Sequence, residues 1–206
     1  MVTLVARVSI ASGVAMMVAS VAAAQNLVVN GDFDNDVSGW TEMSSILLSW
    51  DPTSDYQGSP ESGSALIVNA DLWANSGAVQ CINGIVAGEA YGLSAWLRAP
   101  TGQIGQGTGG VFVWWYVVPN CGGSQTAGPA TAYITTSDSW VEVVAPSAQA
   151  PPGTQSAIVY LNNAKTSPTP GEYRVYYDHV LLTAGGAIFS DGFESGDTSA
   201  WSATVP

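Results

Sequence analysis

Positive charge is the scarcest thing in this sequence. Its 206 residues include four Lys and Arg together and one His, against sixteen Asp and Glu, for a net charge of −12. Such a surface repels phosphate backbones and excludes nucleic acid as a partner. It also disfavours anionic lipid and favours cations, calcium among them. Charge of either sign is sparse, at 10% of the chain against roughly 25% in an average domain. Small polar side chains must therefore carry solubility, while 47% hydrophobic residues argue against disorder. Helical periodicity is nearly absent after the first two dozen residues, and no later apolar run is long enough to span a membrane. The signatures of catalysis are missing too. There is no G-x-S-x-G, and the single histidine, His179, restricts Ser–His or Cys–His chemistry to one base. Glu42, Asp51, Asp55, Glu61, Asp71, Glu89 and Glu142 form no pattern that selects a glycosidase pair. The reading is non-enzymatic.

Cysteine is limited to Cys81 and Cys121. Their setting follows from the N-terminus, MVTLVARVSIASGVAMMVASVAAA. It carries one basic residue, Arg7, an apolar run, and small residues at Ala22 and Ala24. This reads as a secretory signal peptide cut near Ala24/Gln25, the alternative being an uncleaved anchor. The protein is expected to be secreted or at the cell surface, with no membrane insertion after cleavage. In that oxidising setting Cys81 and Cys121 are expected to pair, with two buried free thiols as the alternative. The division is then a signal peptide over 1–24, one module over 25–184, and a tail over 185–206 that follows Gly185-Gly186.

Strand signals fill the module. Asn26–Phe33, Ile46–Trp50, Ala65–Val68, Ala78–Ile82, Tyr91–Arg98, Val111–Val118, Trp140–Val144, Ala157–Leu161 and Tyr173–Leu182 are short β-type runs separated by Gly, Pro, Ser, Asn and Asp. Nine such runs predict an all-β antiparallel sandwich of the jelly-roll kind. The segments 101–110 and 119–130 have no core pattern and are expected to be exposed loops, the second pinned by Cys121. Phe33 and Trp40 are expected to plug one end of the core, and Trp140 to serve the same purpose elsewhere.

Four stretches occur in a recognisable order: NLVVNGDFDNDVSGWTE, AVQCINGIVAGEAYGLSAWLRAP, SWVEVVAPSAQAPPGTQSAIVYLNN and YRVYYDHVLL. Together, from Asn26 to about Thr183, they resemble carbohydrate-binding modules of the galactose-binding-like jelly-roll type, the family 4/9 group and its relatives. The resemblance implies a β-sandwich that binds a polysaccharide or other glycan without catalysis. It also implies a structural calcium joining the first strand to the last, held by Asp34 and Asp178, with Asp32 as a helper. The family's second terminal Asp is His179 here, expected to point away from Asp178 along a strand. The alternating acids Asp32, Asp34 and Asp36 do not form an EF-hand loop, since Val37 and Met43 replace its Gly and Glu. The tail's DGFESGDTSAW echoes NGDFDNDVSGW and resembles a motif at the C-termini of exported bacterial proteins.

Sugar recognition uses aromatic faces for stacking and a few polar groups for hydroxyls. Trp96 and Arg98 share one strand face, opposite Tyr91, Leu93, Ala95 and Leu97. Trp114 and Tyr116 share another, opposite Val113, Trp115 and Val117. If both faces line one concave sheet, Trp96, Arg98, Trp114 and Tyr116 form a groove, with Trp73 at its edge. The alternative for each residue is core packing. A structural or adhesive surface domain of the same fold is the competing function. An exposed aromatic strip would favour glycan binding, and a face filled by loops or small residues would favour the structural role.

Overall fold

The computed structural model describes residues 25–44, 46–71, 75–166, 168 and 170–185. The expected signal peptide, Trp73 and nearly all of the tail lie outside the described residues. Among the described residues ten strands follow in order: β1 (Thr41–Met43), β2 (Ile46–Asp51), β3 (Ser64–Asn69), β4 (Asn75–Asn83), β5 (Ala90–Ala99), β6 (Gly107–Val118), β7 (Gly122–Ala130), β8 (Ser137–Gln149), β9 (Ser156–Lys165) and β10 (Tyr173–Ala184). They form two five-stranded sheets, β2-β3-β10-β5-β8 (sheet I) and β1-β4-β9-β6-β7 (sheet II). Every strand pairing is antiparallel. This is the predicted jelly-roll β-sandwich.

Alternation builds the core. On β5, Tyr91, Leu93, Ala95, Leu97 and Ala99 are buried while Gly92, Ser94, Trp96 and Arg98 face outward. On β6, Val111, Val113 and Trp115 point inward. They meet Val159 and Leu161 of β9 and Val175, Tyr177 and Leu182 of β10 in one cluster. Each fully buried aliphatic side chain of this kind contributes about 1.5–3 kcal/mol. Two buried amides cross the layers. Asn163 of β9 donates to the carbonyls of Ile67 (2.9 Å) and Tyr173 (3.0 Å) in sheet I. Asn69 of β3 donates to the carbonyl of Asn163 at 3.0 Å. Gly77 lets β4 lie close on β9, because a Cβ there would sit 1.8 Å from the Leu161 carbonyl oxygen.

The N-terminal segment 26–33 is not a ladder strand. It touches β10 through the Asn26–Thr183 bridge and the bonds Leu27 N–H to Leu182 O (2.8 Å) and Val180 N–H to Gly31 O (2.9 Å). Phe33 and Trp40 do plug that end: both are buried, with ring centroids 5.7 Å apart. The indole of Trp50 donates to the Phe33 carbonyl at 2.7 Å. The 119–130 segment departs from expectation. Pro119–Cys121 is one 3-10 turn and Gly122–Ala130 is strand β7, at the open edge of sheet II. An edge strand with one neighbour needs no apolar alternation and tolerates Pro129. Part of 101–110 likewise joins a strand, since Gly107–Gly110 begin β6. Cys81 and Cys121 form a disulfide, with Cα atoms 6.0 Å apart, tying β4 to that turn.

Candidate functional site

The four expected groove residues do not share a sheet. Trp96 and Arg98 stand on the outer face of sheet I, and Trp114 and Tyr116 on the outer face of sheet II. Alternation along β5 and β6 separates inside from outside correctly. It does not say that the 100–106 connection carries the chain from one sheet to the other. The single groove is therefore replaced by two separate faces.

Sheet II presents an aromatic platform. The register pairs Phe112 with Tyr160 and Trp114 with Ile158 across β6 and β9. Phe112 and Tyr160 have centroids 4.5 Å apart, Trp114 and Tyr160 stack at 5.3 Å, and Phe112 and Trp114 lie at 5.2 Å. Tyr160 is buried beneath, while Phe112 and Trp114 remain partly open. The strip continues at both ends. The ring of Tyr133, 55% exposed, lies over Gly110, where a Cβ would come within 2.6 Å of it. At the other end the Tyr116 hydroxyl donates to Gln125 Oε1 at 2.7 Å. Burial raises the Tyr116 and Tyr160 phenols above their ordinary range, so both keep their O–H donors at neutral pH. From Gly110 to Tyr116 the strip runs about 20 Å at the usual strand rise. Flat aromatic faces beside hydroxyl and amide groups suit a polyhydroxylated chain. Phe112, Tyr133 and Tyr160 are not among the residues expected from the sequence. Phe112 was findable, since it precedes Trp114 by two residues on the same face. Tyr160 required the register.

Sheet I is covered differently. The loop between β2 and β3 is drawn over its outer face. Tyr56 of this loop stacks on Trp96 at 5.1 Å and on His179 at 5.2 Å. Trp96 is thus clamped by the chain's own loop. The Arg98 guanidinium lies 4.5 Å from the Tyr176 ring centroid and 5.8 Å from that of Trp140, and donates to Ser54 Oγ at 3.0 Å. Trp140, expected in the core, is half-buried on this outer face. Residues 140, 142 and 144 share one side of β8, and the register of Glu142 with Trp96 places that side outward.

The third site is acid-lined. Asp32, Asp34, Asp55, Tyr56, Ser62, Asp178 and His179 border a cavity of about 300 Å³. Asp178 is fully buried, and burial pushes its carboxyl up to about 7, with Asp55 and Asp32 adding repulsion. Its oxygens accept the N–H groups of Tyr56 (3.0 Å) and His179 (2.7 Å). A bulge between Asp178 and Leu181, with φ of 44° at His179, turns that histidine toward the same cavity rather than away from it. Its Nδ1 lies 2.6 Å from Asp32 Oδ1. Asp34 Oδ1 accepts from Ser62 at 3.2 Å. Carboxylates are the oxygen donors a hard cation takes. As they stand, no three His, Cys, Asp or Glu side chains among the described residues converge into a metal cluster.

No protein-family model and no curated protein matches the chain. Solved structures do resemble it. A xylan-binding domain of carbohydrate-binding module family 22 from Paenibacillus barcinonensis matches with a TM-score of 0.57 at 16% identity, over 80% of this chain and 97% of that one. The family 22 and catalytic modules of a Clostridium thermocellum xylanase, complexed with xylohexaose, match at 0.58 and 17%, over 79% of this chain and 29% of that one. The enzymatically active domain of a bacteriophage CBA120 tailspike protein matches at 0.54 and 16%, over 77% of this chain. This chain spans about a fifth of that tailspike domain, 21%, but nearly the whole of the isolated xylan-binding domain. At these identities the likeness establishes the fold, a β-sandwich of the kind found in carbohydrate-binding modules.

Proposed function

We propose that this chain is a non-catalytic carbohydrate-binding module that takes a neutral, extended polysaccharide of the xylan type along the outer face of sheet II. The observation that carries the reading is the aromatic strip of Tyr133, Phe112, Trp114 and Tyr160, with Trp114 partly open. Sugar rings stack on Trp114 and Phe112, while the Tyr116 hydroxyl, Gln125 and neighbouring amides meet the hydroxyls. The neighbouring structures whose names describe xylan binding support the choice of polysaccharide. Export and surface location rest on the N-terminal segment and belong to the same reading. So does calcium at the acid-lined cavity, with Asp34 and Asp178 as side-chain ligands and Asp32 joining once it leaves His179. It would supply positive charge beside a buried carboxylate and so stabilise the fold. The Asp32–His179 pair does not argue for hydrolysis, because the cavity's Ser62 hydroxyl bonds Asp34 rather than the imidazole. The competing structural role is favoured on sheet I, where the loop covers Trp96, and disfavoured on sheet II, where the aromatic strip stands open. Xylohexaose titration of the protein and of Trp114→Ala tests the reading: binding is expected in the first and lost in the second.

A further inference from the structure

The outer face of sheet I holds an arrangement that the polysaccharide reading leaves unused. Pro52, Ser54, Asp55 and Ser59 from the loop, Arg98 from β5, and Asp138 and Trp140 from β8 border a depression of about 500 Å³. That falls within the roughly 300–1,000 Å³ typical of small-molecule sites. It lies on the opposite side of the sandwich from the aromatic strip.

Arg98 is its unusual member. Arg174 pairs with Glu172 at 2.5 Å, whereas Arg98 makes no ion pair with a carboxylate among the described residues, in a chain with sixteen acids. One of its five N–H donors reaches Ser54, and its Nε is buried without an acceptor. Its guanidinium carbon packs beside the edge-on pair of Tyr176 and Trp140, 4.5 Å and 5.8 Å from their ring centroids. The carboxylates nearby are fixed as well. Asp138 Oδ1 accepts the Thr101 N–H at 2.8 Å and Oδ2 the Thr101 hydroxyl at 2.6 Å. Asp55 Oδ1 accepts the N–H groups of Gln57 (2.8 Å) and Ser59 (2.7 Å). Each carboxylate keeps lone pairs free. Hydrogen bonds from Thr101, with a smaller contribution from Arg98, hold Asp138 below the usual carboxylate range, so it stays an acceptor at neutral pH.

We infer that this depression is a second, independent carbohydrate site, taking one neutral sugar unit whose vicinal hydroxyls are shared between the Arg98 guanidinium and the Asp138 carboxylate, with its ring against Trp140. A fork of donors beside a fixed acceptor matches two adjacent hydroxyls, each of which donates once and accepts once or more. Charge decides against a carboxylated sugar. One guanidinium faces the two carboxylates Asp55 and Asp138, so an added anion meets net repulsion. With a polysaccharide on sheet II and a sugar unit here, one module would hold two carbohydrate chains on opposite faces.

The site does not depend on the sheet II platform, and the test separates them. Methyl β-xyloside, methyl β-galactoside, methyl β-glucoside and glucuronic acid are titrated into ¹⁵N-labelled protein, following the Trp140 and Trp114 indole N–H signals. At least one neutral glycoside is expected to shift Trp140 saturably, with a Kd of about 1 mM. Arg98→Gln and Asp138→Asn should each weaken that shift about tenfold or more, and Trp114→Ala should leave it unchanged. Asp138 is exposed, so its variant carries the test if Arg98→Gln fails to fold. The inference is overturned if no neutral glycoside shifts Trp140. It is also overturned if the shift survives both substitutions, or if glucuronic acid binds as tightly as the neutral sugars. Failure of the sheet II reading alone would show only at Trp114.

Discussion

The buried carboxyl of Asp178 makes stability depend on pH in an unusual direction. Most acids in folded proteins are stabilised as anions. Asp178 has no solvent exposure, and its pKa rises from the ordinary 3.8 to about 7, mainly through burial. The folded state therefore holds this proton more tightly than the unfolded state. The contribution is fully present below about pH 4, fades as pH climbs, and is lost above about pH 7. At 1.36 kcal/mol per pH unit, the span from 3.8 to about 7 corresponds to roughly 4 kcal/mol. Thermal melts in EDTA between pH 5 and 8 read this directly. The wild-type melting temperature should fall across that window, and Asp178→Asn, which removes the titrating group, should flatten the curve. Asp36 and Asp138, held below the usual range by hydrogen bonds from Ser38 and Thr101, lose their contributions only as pH falls well below this window. Excess calcium should restore stability above pH 7 in the wild type, because a cation binds the ionised carboxylate, and should do nothing for Asp178→Asn. Parallel curves for the two proteins in EDTA would refute the argument about burial. A normal slope in EDTA without calcium rescue would refute the metal site alone.

Two further perturbations test the scaffold. Reducing the Cys81–Cys121 bond, which closes a loop with a sequence separation of 40, should cost roughly 3–4 kcal/mol, read as a lower denaturation midpoint with dithiothreitol that Cys81→Ser/Cys121→Ser reproduces. Asn163→Ala removes both amide bonds to the Ile67 and Tyr173 carbonyls and leaves a gap where the amide joined the two layers. A loss of about 2–4 kcal/mol in urea unfolding is expected, whereas a change under about 0.5 kcal/mol would mean that the layers do not rely on it.

Much of the sandwich was legible because burial follows alternation. Tyr91–Leu97 and Val111–Trp115 show their inner faces in the sequence, and Phe33 and Trp40 mark the plugged end. What alternation cannot give is the partner of each outward face. Trp96 and Trp114 look equivalent along the chain, yet one is stacked beneath Tyr56 and the other beside Tyr160. Register, loop placement and the crossing between sheets decide that difference, and all three are long-range. Strand β7 escaped notice because an exposed edge imposes no pattern on Gly122–Ala130. Trp140 was misplaced for a related reason: a large aromatic residue in a strand reads as core, although here Arg98 and Tyr176 hold it on the surface. The acid-lined cavity was half visible. Asp32, Asp34 and Asp178 were found, while Asp55 and Tyr56 come from a loop and His179 arrives through a bulge.

The proposed polysaccharide platform rests on Trp114 and its neighbours. Calorimetric titration of xylohexaose into the protein and into Trp114→Ala, with circular dichroism confirming that both are folded, tests it most directly. Saturable binding by the wild type and its loss in the variant is the predicted result. Equal binding by both proteins, or no binding by either, would contradict it.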